Sequence, residues 1–216
     1  MGGDKTIKQK YVQYLLVPIA VIALLNGCAS TPPSTPSVET TFKSFKDYPD
    51  HTFNVKEYIQ GMKKGGHNLL IWIDPAVDLT KHSSVNVMDF GGRLLPEQNV
   101  FSYDPYITLF NSIFKSSLKL SKEESPDALR IEGAVVECNP GSRAARYWVG
   151  FGAGKAGGAV VCEVYEPDKS QPCIRIYTRD TASAGSFGGN SVAMLNHIFS
   201  QVGIRLATTV DTTIGQ

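Results

Sequence analysis

Cysteine is scarce in this chain, four residues in 216. That is too few to hold a small disulfide scaffold together, and none of the four has CxxC or zinc-finger spacing. An excess of either charge is lacking too. Lys and Arg number 21 against 20 Asp and Glu, which argues against a polyanion binder whose affinity rests on neutralising phosphates. No apolar run reaches the roughly 20 residues that a membrane-spanning helix needs. HExxH, GxSxG and a Cys–His signature are missing, and the four histidines, His51, His67, His82 and His197, are scattered. These gaps speak against the common hydrolases and metalloenzymes. An enzyme of another kind would have to declare itself through a polar pocket with perturbed ionisable groups. What is present is 42% hydrophobic residues, enough to build a core and to exclude disorder throughout.

The N-terminus gives an address. Lys5, Lys8 and Lys10 precede an apolar stretch, Tyr14 to Leu25. As one helix its twelve residues would rise about 18 Å, too short for a bilayer core of roughly 30 Å. A basic segment followed by a short apolar one reads as a signal peptide over residues 1–27. Leu25-Asn26-Gly27-Cys28 resembles a bacterial lipobox, although Asn26 stands where a small or apolar residue is commoner. The resemblance implies cleavage before Cys28 and covalent lipid on its thiol. Two or three acyl chains hold a protein stably at a membrane where one does not. Ala29 is not the Asp that resembles an inner-membrane retention signal, so the periplasmic face of the outer membrane is the expected location. The 189 residues left after cleavage carry a formal charge of −1, and no nucleic-acid partner is expected.

Residues 28–41 comprise Cys28 and a Pro/Ser/Thr-rich stretch that cannot pack a core and serves as a flexible tether. A single domain over residues 42–216 is expected after it. Residues 54–64 have the spacing of a short helix capped by Asn54 and ended by Gly65-Gly66. Leu69–Ile73 is an apolar run with the look of a buried strand. Val85–Phe90 suggests a short edge strand. Asp104-Pro105 suggests a cap followed by Pro at the first helical position, with Tyr106, Leu109, Ile113, Phe114 and Leu118 forming the apolar stripe through residue 120. Residues 128–138 alternate as a strand does. Segments 159–166 and 173–178 read as a hairpin around Pro167–Ser170. Residues 190–202 read as a helix stopped by Gly203. The expected fold is α+β: a mostly antiparallel sheet of about four strands, with two helices on one face and the other face left available.

The most distinctive run lies between two of these strands: GSRAARYWVGFGAGKA, residues 141–156. With the lipobox, an early strand and the following hairpin, it resembles a bacterial lipoprotein family known as domain of unknown function 4410. The resemblance covers about residues 68–206. Pro167 and Pro172 depart from its pattern at the hairpin turn. It implies an envelope lipoprotein and no catalytic residues. The run does not make a phosphate loop, because position 149 is Val and Ala156 stands where Ser or Thr would hold magnesium. Gly152-x-Gly154-x-x-Gly157 has dinucleotide spacing, but a strand follows it rather than a helix. Glycines here suit a tight excursion with Tyr147, Trp148 and Phe151 as core anchors. Alternatively, aromatics interleaved with Arg143, Arg146 and Lys155 suit a surface for a partner protein, a second copy or membrane headgroups.

Cys162 and Cys173 fall on the two arms of the hairpin and are candidates for a disulfide; with Cys138 they are otherwise buried free thiols. No metal and no cofactor beyond the lipid on Cys28 is expected. Asp74 and Asp89 end apolar stretches, where turn and cap roles are the common ones. The sequence therefore points to a non-enzymatic, lipid-anchored accessory protein that binds another envelope component. An oligomeric assembly subunit, resembling curli-type secretion lipoproteins in the order of its elements, is the alternative.

Overall fold

The computed structural model describes residues 42–82, 84–97, 101–122, 125–141, 155–183 and 190–215. The signal peptide, Cys28 and the tether lie outside the described residues, as do 142–154 of the glycine-rich run. Six described strands form one sheet: β1 (Lys63–Gly66), β2 (Leu69–Ile73), β3 (Val85–Val87), β4 (Leu129–Asn139), β5 (Ala156–Tyr165) and β6 (Ile174–Ala182), in the order β1-β2-β6-β5-β4-β3. Every neighbouring pair is antiparallel except β3 and β4. The α+β class and the β4-β5-β6 meander stand. The expected four strands become six, and the sheet is mixed.

One added strand, β1, arises where local periodicity misleads. α1 covers only Val55–Tyr58, with the Asn54 side chain accepting from the Glu57 amide. It stops short of Gly61, which takes φ +77°, a conformation that favours glycine. Gly65 and Gly66 do not end a helix. They belong to β1, whose Lys63 and Lys64 pair with Ile71 and Leu70 of β2. β2 is half-buried rather than fully buried, because β1 and the sheet end beside it leave it partly open. The other addition, β3, lies at an edge, as expected, and pairs with β4.

Two helices cover one face. α2 (Asp104–Ser117) begins at Asp104 itself, with Tyr103 in the capping place and Pro105 in the first turn. Its buried residues are Tyr106, Phe110 and Phe114, followed by Leu118 just past its end. Ile113 and Leu109 flank this stripe half-buried. The ring of Phe90 meets Phe110 and Phe114 edge-on at 5.1 and 5.3 Å. α3 (Ser191–Ile214) starts where expected, with the Asn190 side chain accepting from the amides of Val192 and Ala193. It does not stop at Gly203 but continues to Ile214. A helix-interior glycine costs about 1 kcal/mol relative to alanine, and here it allows a close approach. A Cβ at 203 would lie 3.0 Å from Ile113 Cγ2 and 3.3 Å from the Phe114 amide nitrogen. Among the described residues no helix is long and apolar enough to cross a membrane.

The opposite face is not bare. Residues 42–62 run across it as a strap, packing Phe45, Tyr48, Phe53, Val55 and Tyr58 against Ala134, Val136, Ala159, Val161 and Tyr177 of the sheet. All ten residues of β5 are consequently buried. The expected alternation on β4 is blurred for the same reason: Arg130 and Glu132 face the strap side and are only half-exposed.

The α2–α3 contact yields a test. Gly203→Val is expected to lower the unfolding free energy by about 2 kcal/mol through overpacking against α2, seen as a lower urea midpoint with an unchanged slope. A variant as stable as the parent would show that the two helices have room to spare.

Candidate functional site

The strap and the sheet meet over a buried charge pair. Glu163 on β5 and Arg175 on β6 are cross-strand partners. Glu163 is 0% exposed and Arg175 is 1% exposed. Arg175 Nε stands 3.8 Å from Glu163 Oε1, beyond hydrogen-bond reach, so attraction between the two is Coulombic. Their hydrogen bonds come from elsewhere. Glu163 accepts from Ser44 Oγ at 2.6 Å, the Phe45 amide at 3.0 Å and Tyr165 OH at 2.5 Å. Arg175 Nη2 donates to the carbonyls of Lys43 at 3.0 Å and Tyr58 at 2.8 Å. Its guanidinium also lies 4.4 Å from the Tyr58 ring centre and 4.8 Å from that of Phe42. Phe42 in turn packs on Trp72 of β2 at 4.7 Å.

Burying each ion costs several kcal/mol, recovered only where geometry and added hydrogen bonds are good. Here most of those added bonds come from the strap. Arg93 fastens the same segment, donating to the carbonyls of Phe45 and Tyr48 and to Asp50. Further along, Glu132 bridges to Lys46 and Arg130. Burial alone would raise its pKa, but hydrogen bonds from these two cations outweigh burial and hold it below the ordinary carboxylate value. Burial, reinforced by Glu163, pushes the phenols of Tyr58 and Tyr165 well up, so both stay protonated.

The sequence expectations do not include this pair. Its signal is present all the same: one acid inside Val160–Tyr165, one base inside Cys173–Tyr177, each flanked by apolar residues. Recognising them as partners requires the register of the hairpin, which aligns Val164 with Ile174.

The candidate residues from the sequence do not converge. Arg143, Arg146, Trp148 and Phe151 lie outside the described residues, and Lys155 is exposed at the entry to β5. Cys162 and Cys173 are not bonded to each other, because the register sets Cys162 opposite Ile176 and places Cys173 beside Val164, whose carbonyl accepts from its amide at 2.7 Å. Both are free and buried, as is Cys138. Burial pushes the Cys173 thiol up to about 11 and that of Cys138 up to about 12, and raises Cys162 further. Asp74 accepts from the Ala76 amide within a turn, and Asp89 pairs with Lys115. His51 Nδ1 meets the Leu95 carbonyl and His82 Nδ1 the Asp127 carbonyl, while His67 and His197 are exposed. Among the described residues no group of three or more His, Cys, Asp and Glu is placed to hold a metal ion.

Glu163→Gln leaves Arg175 buried without a counter-charge, with an expected loss of about 3 kcal/mol. Adding Arg175→Met should restore part of it, and the difference in a double-mutant cycle of unfolding free energies measures the coupling. The thiols supply a pH test. Their folded pKa values lie above the unfolded value of about 8.5, so their contribution is complete below that pH and is lost as pH rises through about 11 and about 12. In a Cys28→Ala background, a thiol reagent at about pH 8 should react with none of the remaining cysteines until denaturant is added, and the unfolding midpoint should fall from about pH 9 upward.

Two structures of a PelC dodecamer from Paraburkholderia phytofirmans resemble the chain, one of them a single-substitution variant. Their identities are 11% and 12% and their TM-scores 0.39 and 0.38; the matches cover 63% and 64% of this chain and 96% and 95% of theirs. A candidate lipoprotein from Caulobacter crescentus resembles it at 12% identity and TM-score 0.36, over 63% of this chain and 88% of the other. No curated protein matches the chain. Residues 110–211, which take in most of α2, the β4-β5-β6 meander and α3 almost to its end, match the model of the family described as domain of unknown function (DUF4410).

Proposed function

We propose that the chain is a lipid-anchored envelope lipoprotein facing the periplasm, tethered to the outer membrane through Cys28, and that it works by binding another envelope component. The observation that carries the binding role is the occupation of both sheet faces by the chain's own helices and strap. A partner is then left the edges and ends of the sheet. Asn139 at the end of β4 pairs with Gly157 at the start of β5, so the glycine-rich run departs from and returns to one end of the sheet. Arg143, Arg146, Trp148, Phe151 and Lys155 belong to that connection, and aromatic and arginine side chains are enriched at the centres of interfaces. The anchor rests on the basic and apolar N-terminal segments and on Leu25–Cys28.

Two substitutions separate anchor from partner. Cys28→Ala is expected to move the chain from the membrane to the soluble fraction; continued quantitative membrane fractionation would remove the lipid assignment. Arg143→Ala with Trp148→Ala, in a chain that still unfolds at the parental midpoint, is expected to abolish its cross-links to a specific envelope protein in cells. Cross-links confined to a second copy, with a matching native mass in detergent, would make the chain an oligomeric assembly subunit instead. Unchanged cross-links would exclude this connection as the contact surface.

A further inference from the structure

At the open corner of the sheet, beyond the strap, a hollow of about 310 Å³ lies between β1, β2 and β6. Leu69, Leu70 and Tyr177 give it apolar walls. Its charged groups are mostly committed. Arg179 Nε and Nη2 hold both oxygens of Glu137, at 2.6 and 2.8 Å. Asp180 is taken by Arg205 of α3 at 2.6 Å. Lys64 is different. Its side chain is exposed on the wall of the hollow and makes no ion pair or hydrogen bond among the described residues. Thr181 adds a hydroxyl. At Gly66, a built Cβ meets no atom within 4 Å, so the mouth is open.

We infer that this hollow binds a small carboxylate carrying an apolar body, with the carboxylate on Lys64 and the body against Leu70 and Tyr177. The charge balance sets the sign and number: after the Arg179–Glu137 and Asp180–Arg205 pairs cancel, one positive charge is left over. The size sets the class. Small-molecule sites run from about 300 to 1,000 Å³, so a hollow at the lower end suits a compact monoanion. The apolar walls supply affinity through buried area. The lone ammonium supplies preference for an anion over its neutral isostere, since the two differ only in the charge that Lys64 meets. The site is independent of the glycine-rich connection and of the lipid anchor.

The test uses the full chain in lipid nanodiscs, with empty nanodiscs subtracted, and titration calorimetry of 4-phenylbutyrate against 4-phenylbutyramide. The carboxylate is expected to bind saturably and the amide about tenfold more weakly, a difference of about 1.4 kcal/mol. Lys64→Glu, at an exposed edge position, should leave the unfolding midpoint unchanged and erase the preference. Gly66→Leu should narrow the mouth and weaken both probes. Equal binding of the two probes, an undiminished preference in Lys64→Glu, full binding in Gly66→Leu, or no saturable binding of either probe would each overturn the inference.

Discussion

The attraction between Glu163 and Arg175, two ions out of reach of water in the middle of the sheet, is the constraint from which the rest of this structure follows. Neither can be left as the meander alone would leave it. Their charges attract across β5 and β6, and four of the hydrogen bonds they make go to Lys43, Ser44, Phe45 and Tyr58, while Arg175 Nε and Nη1 make none. The segment 42–62 is therefore required to lie on that face. It is fixed there by the directional needs of two ions as well as by the non-directional burial of Phe45, Tyr48 and Tyr58. Replacing such a pair with apolar residues is often neutral for stability; what the pair adds beyond apolar packing is direction, since its hydrogen bonds reach particular backbone and side-chain groups of one segment.

Covering both faces changes what the sheet can offer. A meander with helices on one side leaves a broad apolar floor for a ligand or a second sheet. With the strap in place that floor is core, and β5 has no exposed residue along its length. Among the described residues, what the sheet leaves to the solvent lies on its rim and includes the short lysine- and glycine-bearing strand β1, Asn86 of the three-residue strand β3, and Asn139 at the end of β4. Lysines on a short edge strand also discourage other chains from pairing with it. The two contacts proposed above, at the sheet end and at the corner beside β1, both fall on this rim.

Much of the fold is legible in the sequence because it is local. Leu69–Ile73, the β5–β6 hairpin and the start of α3 at Asn190 each carry their signal within a few residues: an apolar run, a turn flanked by strands, a capping side chain. The parts that are not legible depend on residues distant in the chain. Nothing near Gly203 tells that α2 will press against it and let the helix run on. Lys63–Gly66 become a strand only because Leu69–Ile71 come back alongside. The second face is expected to be available because a strap of mixed composition, with Lys43, Lys46 and Lys56 among its aromatics, has no periodic signature. Of the candidate contact residues only Lys155 lies among the described residues, and the Cys162–Cys173 bond is excluded by a register that spacing alone cannot give.

The strap has a mechanical consequence. Its first residues follow directly on the proline-rich segment 29–41, so tension along that segment enters the fold at Lys43, Ser44 and Phe45. Those residues are bonded to β5 and β6, the strands at the centre of the sheet, rather than to a frayed margin. With the chain held at a bilayer by the anchor proposed above, a pull would reach the two central strands through these bonds before it reached the sheet edges.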